Sequence, residues 1–189
     1  MSAGARFHVT PTPLAGLMRV QRRPLGDARG FLARMFCAEE LQHAGWHWPV
    51  AQINHTRTER AGTLRGLHWQ NPPMAEAKLV SCLRGAVWDV AVDLRAGSPT
   101  FLQWHAEELS ADNHAALLIP PGLAHGFQAL EDGAELLYLH SAPHAPDCEA
   151  GADALDPRLA IAWPLPVCER SARDAGHALL GTDFKGIAL

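Results

Sequence analysis

Lysine and tyrosine are nearly missing from this chain. Of 189 residues, Lys78 and Lys185 are the only lysines, against 14 arginines. Tyr138 is the only tyrosine, against 11 histidines. No apolar run reaches the roughly 18 residues that a membrane helix needs, and the opening MSAGARFHVTPTPLAGLMRV has no apolar signal-peptide core, so a cytoplasmic protein is expected. The four cysteines, Cys37, Cys82, Cys148 and Cys168, are widely spaced without a CxxC pair. That excludes the common zinc-knuckle and redox motifs and leaves reduced, mostly packed thiols. A formal charge of -4 argues against a binder of nucleic-acid phosphates. Charged residues make up only 19% and apolar ones 48%, which argues against disorder.

What is present reads as one all-β domain spanning 1–189. Only residues 36–45 (FCAEELQHAG) look helical, with early acidic residues and Gly45 placed to end the helix. The centre reads as short strands at 78–84, 86–95, 101–109, 116–120, 124–130 and 135–142, separated by turn residues such as Gly97-Ser98-Pro99-Thr100. This spacing predicts a sandwich or barrel. Within 86–95, Trp88, Val90, Val92 and Leu94 share one face and are expected to meet a core. The other face carries Val87, Asp89, Ala91 and Asp93, and its two carboxylates predict a wet or functional surface. Residues 143–189, rich in Pro, Ala and Asp, are expected to wrap the barrel as loops and short helices.

Several polar residues sit inside otherwise apolar, strand-like stretches: Arg65 and His68 in GTLRGLHWQ (62–70), Lys78 at the head of KLVSCLR, and His125 in PPGLAHGF (120–127). Taken singly, each is as compatible with a satisfied core or surface group as with a site. Taken in order, GTLRGLHWQNPP, KLVSCLRGAVWDVAVDLRAGSPTF, IPPGLAHGFQAL and DPRLAIAWPL resemble the dTDP-4-dehydrorhamnose 3,5-epimerases. The resemblance extends from about Arg19 to Leu180 and includes GDARGFLARMF (26–36), AQINHTRT (51–58) and SARD (171–174).

That resemblance implies a cupin-like jelly-roll β-barrel, a homodimer, no metal and no cofactor. The implied substrate is a nucleotide-linked 4-keto-6-deoxyhexose, probed by proton removal and return at C3 and C5 through an enolate. His68 matches the base, Asp174 its carboxylate partner, and Lys78 the cation beside the enolate oxygen. Asp89 is a second candidate partner of that histidine. Arg29 and Arg65 match residues that grip the diphosphate, Gln52 and Asn54 match polar lining positions, and His125 matches a pocket histidine.

One departure stands out. The family's proton-donating tyrosine follows the strand ELLYLHSA, and here that position holds His144. His144 is therefore either the opposing acid or a sign that only C3 is epimerised. A third alternative is a nucleotide-sugar-binding protein without turnover. Arg34 is a second departure, standing where many members carry a carboxylate. A metal-dependent cupin would need an HxH pair, a carboxylate and a further histidine. Only His68 and His125 fit that pattern, which argues against a catalytic metal.

Overall fold

The computed structural model describes residues 5–189; residues 1–4, the start of the stretch read for a signal core, lie outside it. Two antiparallel sheets face each other as a jelly roll. The first has six strands: β1 (Phe7–Pro11), β2 (Met18–Arg22), β5 (Gln52–Thr58), β7 (Lys78–Arg84), β10 (Ala115–Ile119) and β12 (Ala134–His140), in the order β1-β2-β10-β7-β12-β5. The second has β6 (Leu64–Gln70), β8 (Ala86–Asp93), β9 (Trp104–Ser110), β11 (Leu123–Ala129) and β13 (Glu149–Gly151), in the order β13-β6-β11-β8-β9. A hairpin of β3 (Leu25–Asp27) and β4 (Gly30–Leu32) stands apart from both. The helices are short: α1 (Ala38–Gln42) and α2 (Ala172–Ala175).

The six central strands fall close to their expected places. The largest displacement is at β9, which begins at Trp104, not 101, while β8 and β12 each end two residues early. The turn after β8 runs longer than its Gly-Ser-Pro-Thr signal, because Phe101 N–H donates to Ser98 and Gln103 N–H donates to Thr100. α1 is shorter than the 36–45 segment. Strands β1 to β5 and β13 do not follow from the pattern: β1 to β4 and β13 are short, and the seven residues of β5 (QINHTRT) are mostly polar.

Strand β8 corrects the two-face reading. Val87 and Ala91 join Val80, Leu117, Phe127 and Leu136 in the core between the sheets. Val90, Val92 and Leu94 pack instead on the outer side, under Ala152, Ala154, Leu159 and Ile187 of the C-terminal segment. Both faces are therefore buried, and neither Asp89 nor Asp93 meets water. A strand covered on one side by the opposite sheet and on the other by a wrapping tail loses the wet face that a two-layer sandwich would give it. Arg95, Ser98 and Thr100 neutralise Asp93: their side chains all donate to its carboxylate, at 2.6 to 2.9 Å, and the Arg95 N–H adds a further bond. Burial opposes ionisation there, yet these donors outweigh it and hold the carboxyl down at about 2.

Because the folded-state value is depressed, the stability supplied by Asp93 is present above the ordinary carboxylate value and is lost as pH falls toward about 2. Asp93→Ala is expected to lower stability by about 3 kcal/mol, the cost of stranding several charge-assisted donors. Urea denaturation at pH 7 and pH 3 checks this. The wild-type advantage should shrink at the lower pH.

Candidate active site

One large cavity, of about 890 Å³, opens between the sheets. That is ample for a nucleotide-sized ligand. Strands β6 and β11 supply one wall. Their register sets His125 opposite His68, so both imidazoles project from the same face. The two strands approach closely at Gly66, whose φ is +107° and where an added Cβ would lie 2.6 Å from the Gly126 Cα. Only glycine fits there. Strands β7, β12 and β5 form the opposite wall, and their register aligns Lys78, His140 and Gln52 in one row.

His68 Nε2 lies 2.8 Å from Asp174 Oδ1. Asp174 is buried on α2, which Ser171 caps by accepting the Asp174 N–H at 3.0 Å. Its Oδ2 accepts the Gly66 N–H at 3.1 Å. Burial opposes charge on Asp174, but the Gly66 donor and His68 prevail and hold its carboxyl below the ordinary range. An ionised Asp174 only accepts, so His68 donates through Nε2 and keeps its lone pair on Nδ1; the Arg173 guanidinium beside that Nε2–H then acts through its charge and not through a hydrogen bond to the ring. Burial lowers the His68 value, the positive charges of Arg173 and Lys78 lower it further, and Asp174 works against them. The net direction is down, so the ring is a neutral base near pH 7.

Lys78 is buried at the head of β7. Its Nζ lies 3.1 Å from Glu76 Oε1 and 3.5 Å from the His68 carbonyl. Arg65 lines the cavity while its guanidinium donates to Thr58 Oγ1 and the Arg57 carbonyl. Gln52, Asn54 and His125 also line it. His144 sits at the mouth with its side chain 52% exposed, and its Nε2 lies 3.3 Å from Glu149 Oε2. Glu149 in turn pairs with Arg173, whose Nη2 is 3.0 Å from His68 Nε2.

Two expected residues lie elsewhere. Asp89 is fully buried beneath the cavity lining, 2.7 Å from His125 Nε2, and does not partner His68. Strand β11 stands between β8 and β6, and its register sets Asp89 opposite Phe127, two residues along from His125 on the same face. Its Oδ2 has no hydrogen-bond partner among the described residues. Arg29 is on the exposed β3–β4 turn, paired with Asp27 at 2.5 Å and outside the cavity of its own chain. Arg34 is an exposed partner of Glu40. Glu76, His140, Glu149 and Arg173 were missed. The signals were present: Glu76 stands two residues before the rare lysine, and His140 belongs to the same HSAPH tract as His144.

The ligand count is also corrected. His177 joins His68 and Asp174, with their donor atoms within 4.8 Å of one another. The set fits a cation poorly. The Arg173 guanidinium already stands at His68 Nε2, and the His177 ring packs over Gly151.

A sequence model described as dTDP-4-dehydrorhamnose 3,5-epimerase matches residues 11–182. The chain belongs to that family. It is 48% identical over 145 residues to the dTDP-4-dehydrorhamnose 3,5-epimerase of Pseudomonas aeruginosa, covering 76% of this chain and 78% of the relative. The structure of the Bacillus anthracis dTDP-4-dehydrorhamnose 3,5-epimerase, with TDP and pyrophosphate bound, superposes with a TM-score of 0.89 at 38% identity, covering 92% and 99%. A 3'-monoepimerase from Streptomyces bikiniensis, in complex with dTDP-quinovose, superposes with a TM-score of 0.83 at 38% identity, covering 89% and 86%. The chain is thus a dTDP-sugar epimerase by family. Among the described residues no helix is long and apolar enough to cross a membrane.

With a neutral His68 as the proposed base, the acid limb of kcat/KM on a dTDP-4-keto-hexose should fall below the ordinary imidazole value. Arg173→Ala should move that limb upward, since a charge that disfavours the imidazolium is gone. A pH–rate series on both proteins measures the two limbs.

Proposed function

We propose that this epimerase acts on a dTDP-linked 4-keto-6-deoxyhexose at C3 and C5. The observation that carries the reading is a neutral histidine–carboxylate pair beside a buried lysine in one nucleotide-sized cavity. His68 Nδ1 takes the proton from the carbon next to the C4 ketone. The electron pair moves into an enolate, and the ammonium of Lys78 stabilises the oxygen that becomes negative. Asp174 holds the tautomer and stabilises the imidazolium as it forms. A proton then returns on the opposite face of the ring. Because C3 and C5 both flank the ketone, the same groups serve both carbons.

His144 stands where the resemblance implies the donor of that second proton, and an imidazolium can give one. Its exposure at the mouth favours a second reading, in which solvent reaches this face and only C3 is inverted. Arg65, Gln52 and Asn54 are assigned to the nucleotide and sugar, and His125, braced by Asp89, to the pocket wall. Arg29 reaches no cavity in its own chain. The exposed apolar residues Phe31 and Leu32 on its hairpin, and Ile53 on the edge strand β5, suit coverage by a second copy. We therefore assign a homodimer in which Arg29 serves the partner's diphosphate site. Its four free thiols suit a reducing cytoplasm.

Incubation with dTDP-4-keto-6-deoxyglucose in heavy water should place deuterium at both C3 and C5. His144→Tyr should keep or raise label at C5. Label at C3 alone in the wild type establishes the mono-epimerase. Binding without label at either carbon overturns the catalytic reading.

A further inference from the structure

A run of hydrogen bonds crosses the wall opposite His68. Lys78 Nζ lies 3.1 Å from Glu76 Oε1. Glu76 Oε2 lies 2.8 Å from His140 Nδ1. His140 Nε2 lies 3.4 Å from Asn54 Nδ2. The Gln52 Nε2 group donates to Asn54 Oδ1 at 3.0 Å, and the His144 backbone N–H donates to Gln52 Oε1 at 3.0 Å. Five links thus connect the buried lysine to the backbone of the segment that carries His144.

Both ends of this run have fixed polarity. A backbone N–H can only donate, so Gln52 must offer its carbonyl to His144 and its NH2 to Asn54. Asn54 must then accept from Gln52 and turn its own NH2 toward His140. His140 Nε2 is therefore an acceptor, and the ring's one proton is on Nδ1, donating to Glu76. The other end agrees independently. Burial opposes ionisation of Glu76, but the bond from His140 and the charge of Lys78 outweigh it and hold the carboxyl below its ordinary value. An ionised Glu76 can only accept, from Lys78 on one oxygen and His140 on the other. One tautomer and one orientation of each amide satisfy every contact.

We infer that Glu76 and His140 are positioning residues of the epimerisation. They lock the Lys78 ammonium and the His144 segment into one arrangement through Asn54 and Gln52. This rests on the proposed enolate chemistry, which needs the ammonium at one place and the opposing donor or solvent path at another. A second proton on His140 would set a donor against the Asn54 NH2, and reversing both amides would set a donor against the His144 N–H. The neutral ring is thus part of the device. The titratable groups facing it are Glu76 from the segment before β7, Lys78 across the register, and Tyr138, stacked at 6.0 Å. From β5 come only the uncharged Asn54 and Gln52.

Two measurements test this on the full-length protein. Nitrogen-15 NMR of histidine-labelled enzyme at pH 8, with the His140 signals identified by their loss in His140→Ala, should show a protonated Nδ1 and a bare Nε2. In Glu76→Gln the two tautomers should mix. A protonated Nε2 in the wild type overturns the hydrogen-bond run, whether or not the protein turns over substrate. In steady-state kinetics, Glu76→Gln should lower kcat roughly ten- to a hundredfold, as a misplaced reacting group does. KM and calorimetric dTDP affinity should stay within about threefold on the same reasoning, and Glu76→Asp should recover part of the rate. Unchanged kcat in Glu76→Gln, or kcat and dTDP affinity falling together, overturns the positioning role. A wild type that binds dTDP yet exchanges no substrate proton removes the catalytic reading and leaves the NMR result to judge the run.

Discussion

The Asp174 carboxylate joins the last part of the chain to the strand that carries the proposed base, His68. One oxygen meets His68 and the other meets the Gly66 N–H, two residues earlier on β6. A buried carboxylate without partners would cost several kcal/mol. The tail that wraps the second sheet docks where β6 presents both donors, at the point where Gly66 lets the strand lie against Gly126. The same tail covers Val90, Val92 and Leu94 on the outer side of the sheet.

Around this pair the cavity divides its labour between two walls. The β6–β11 wall carries the proposed base and a second braced histidine, His125 on Asp89. The β7–β12–β5 wall carries the cation and the amide-lined path to His144. Register explains the division: residues facing each other across neighbouring strands share a face. His68 and His125 are so aligned on one wall, and Lys78, His140 and Gln52 on the other. The neutral His68 and the ammonium of Lys78 are compatible because Glu76 takes up the lysine's charge while burial and Arg173 keep the imidazole unprotonated.

Much of this was legible in the chain itself. The central strands follow from apolar alternation and turn residues, and ordered motifs around His68, Lys78, His125 and Asp174 carry the family resemblance. What escaped has physical reasons. Alternation in β8 could show that two faces differ, but not that a tail from residues beyond 150 would cover one of them. Asp89 could not reach His68 because β11 runs between β8 and β6, and it meets His125 on that intervening strand instead. Glu76 and His140 come from segments 64 residues apart, and only the pairing of β7 with β12 makes them neighbours. Arg29 lies on a hairpin whose apolar surface is uncovered within its own chain.

The measurement that bears most directly on the central pair is solvent-deuterium exchange by Asp174→Asn, with dTDP affinity followed by calorimetry. An amide can keep the shape of the site but can present an NH2 to His68 and cannot stabilise the imidazolium. Exchange at every carbon should fall by roughly two to four orders of magnitude, the range for loss of an oriented general base, while dTDP still binds. A variant that folds, binds dTDP and exchanges at the wild-type rate would contradict the role given to this pair.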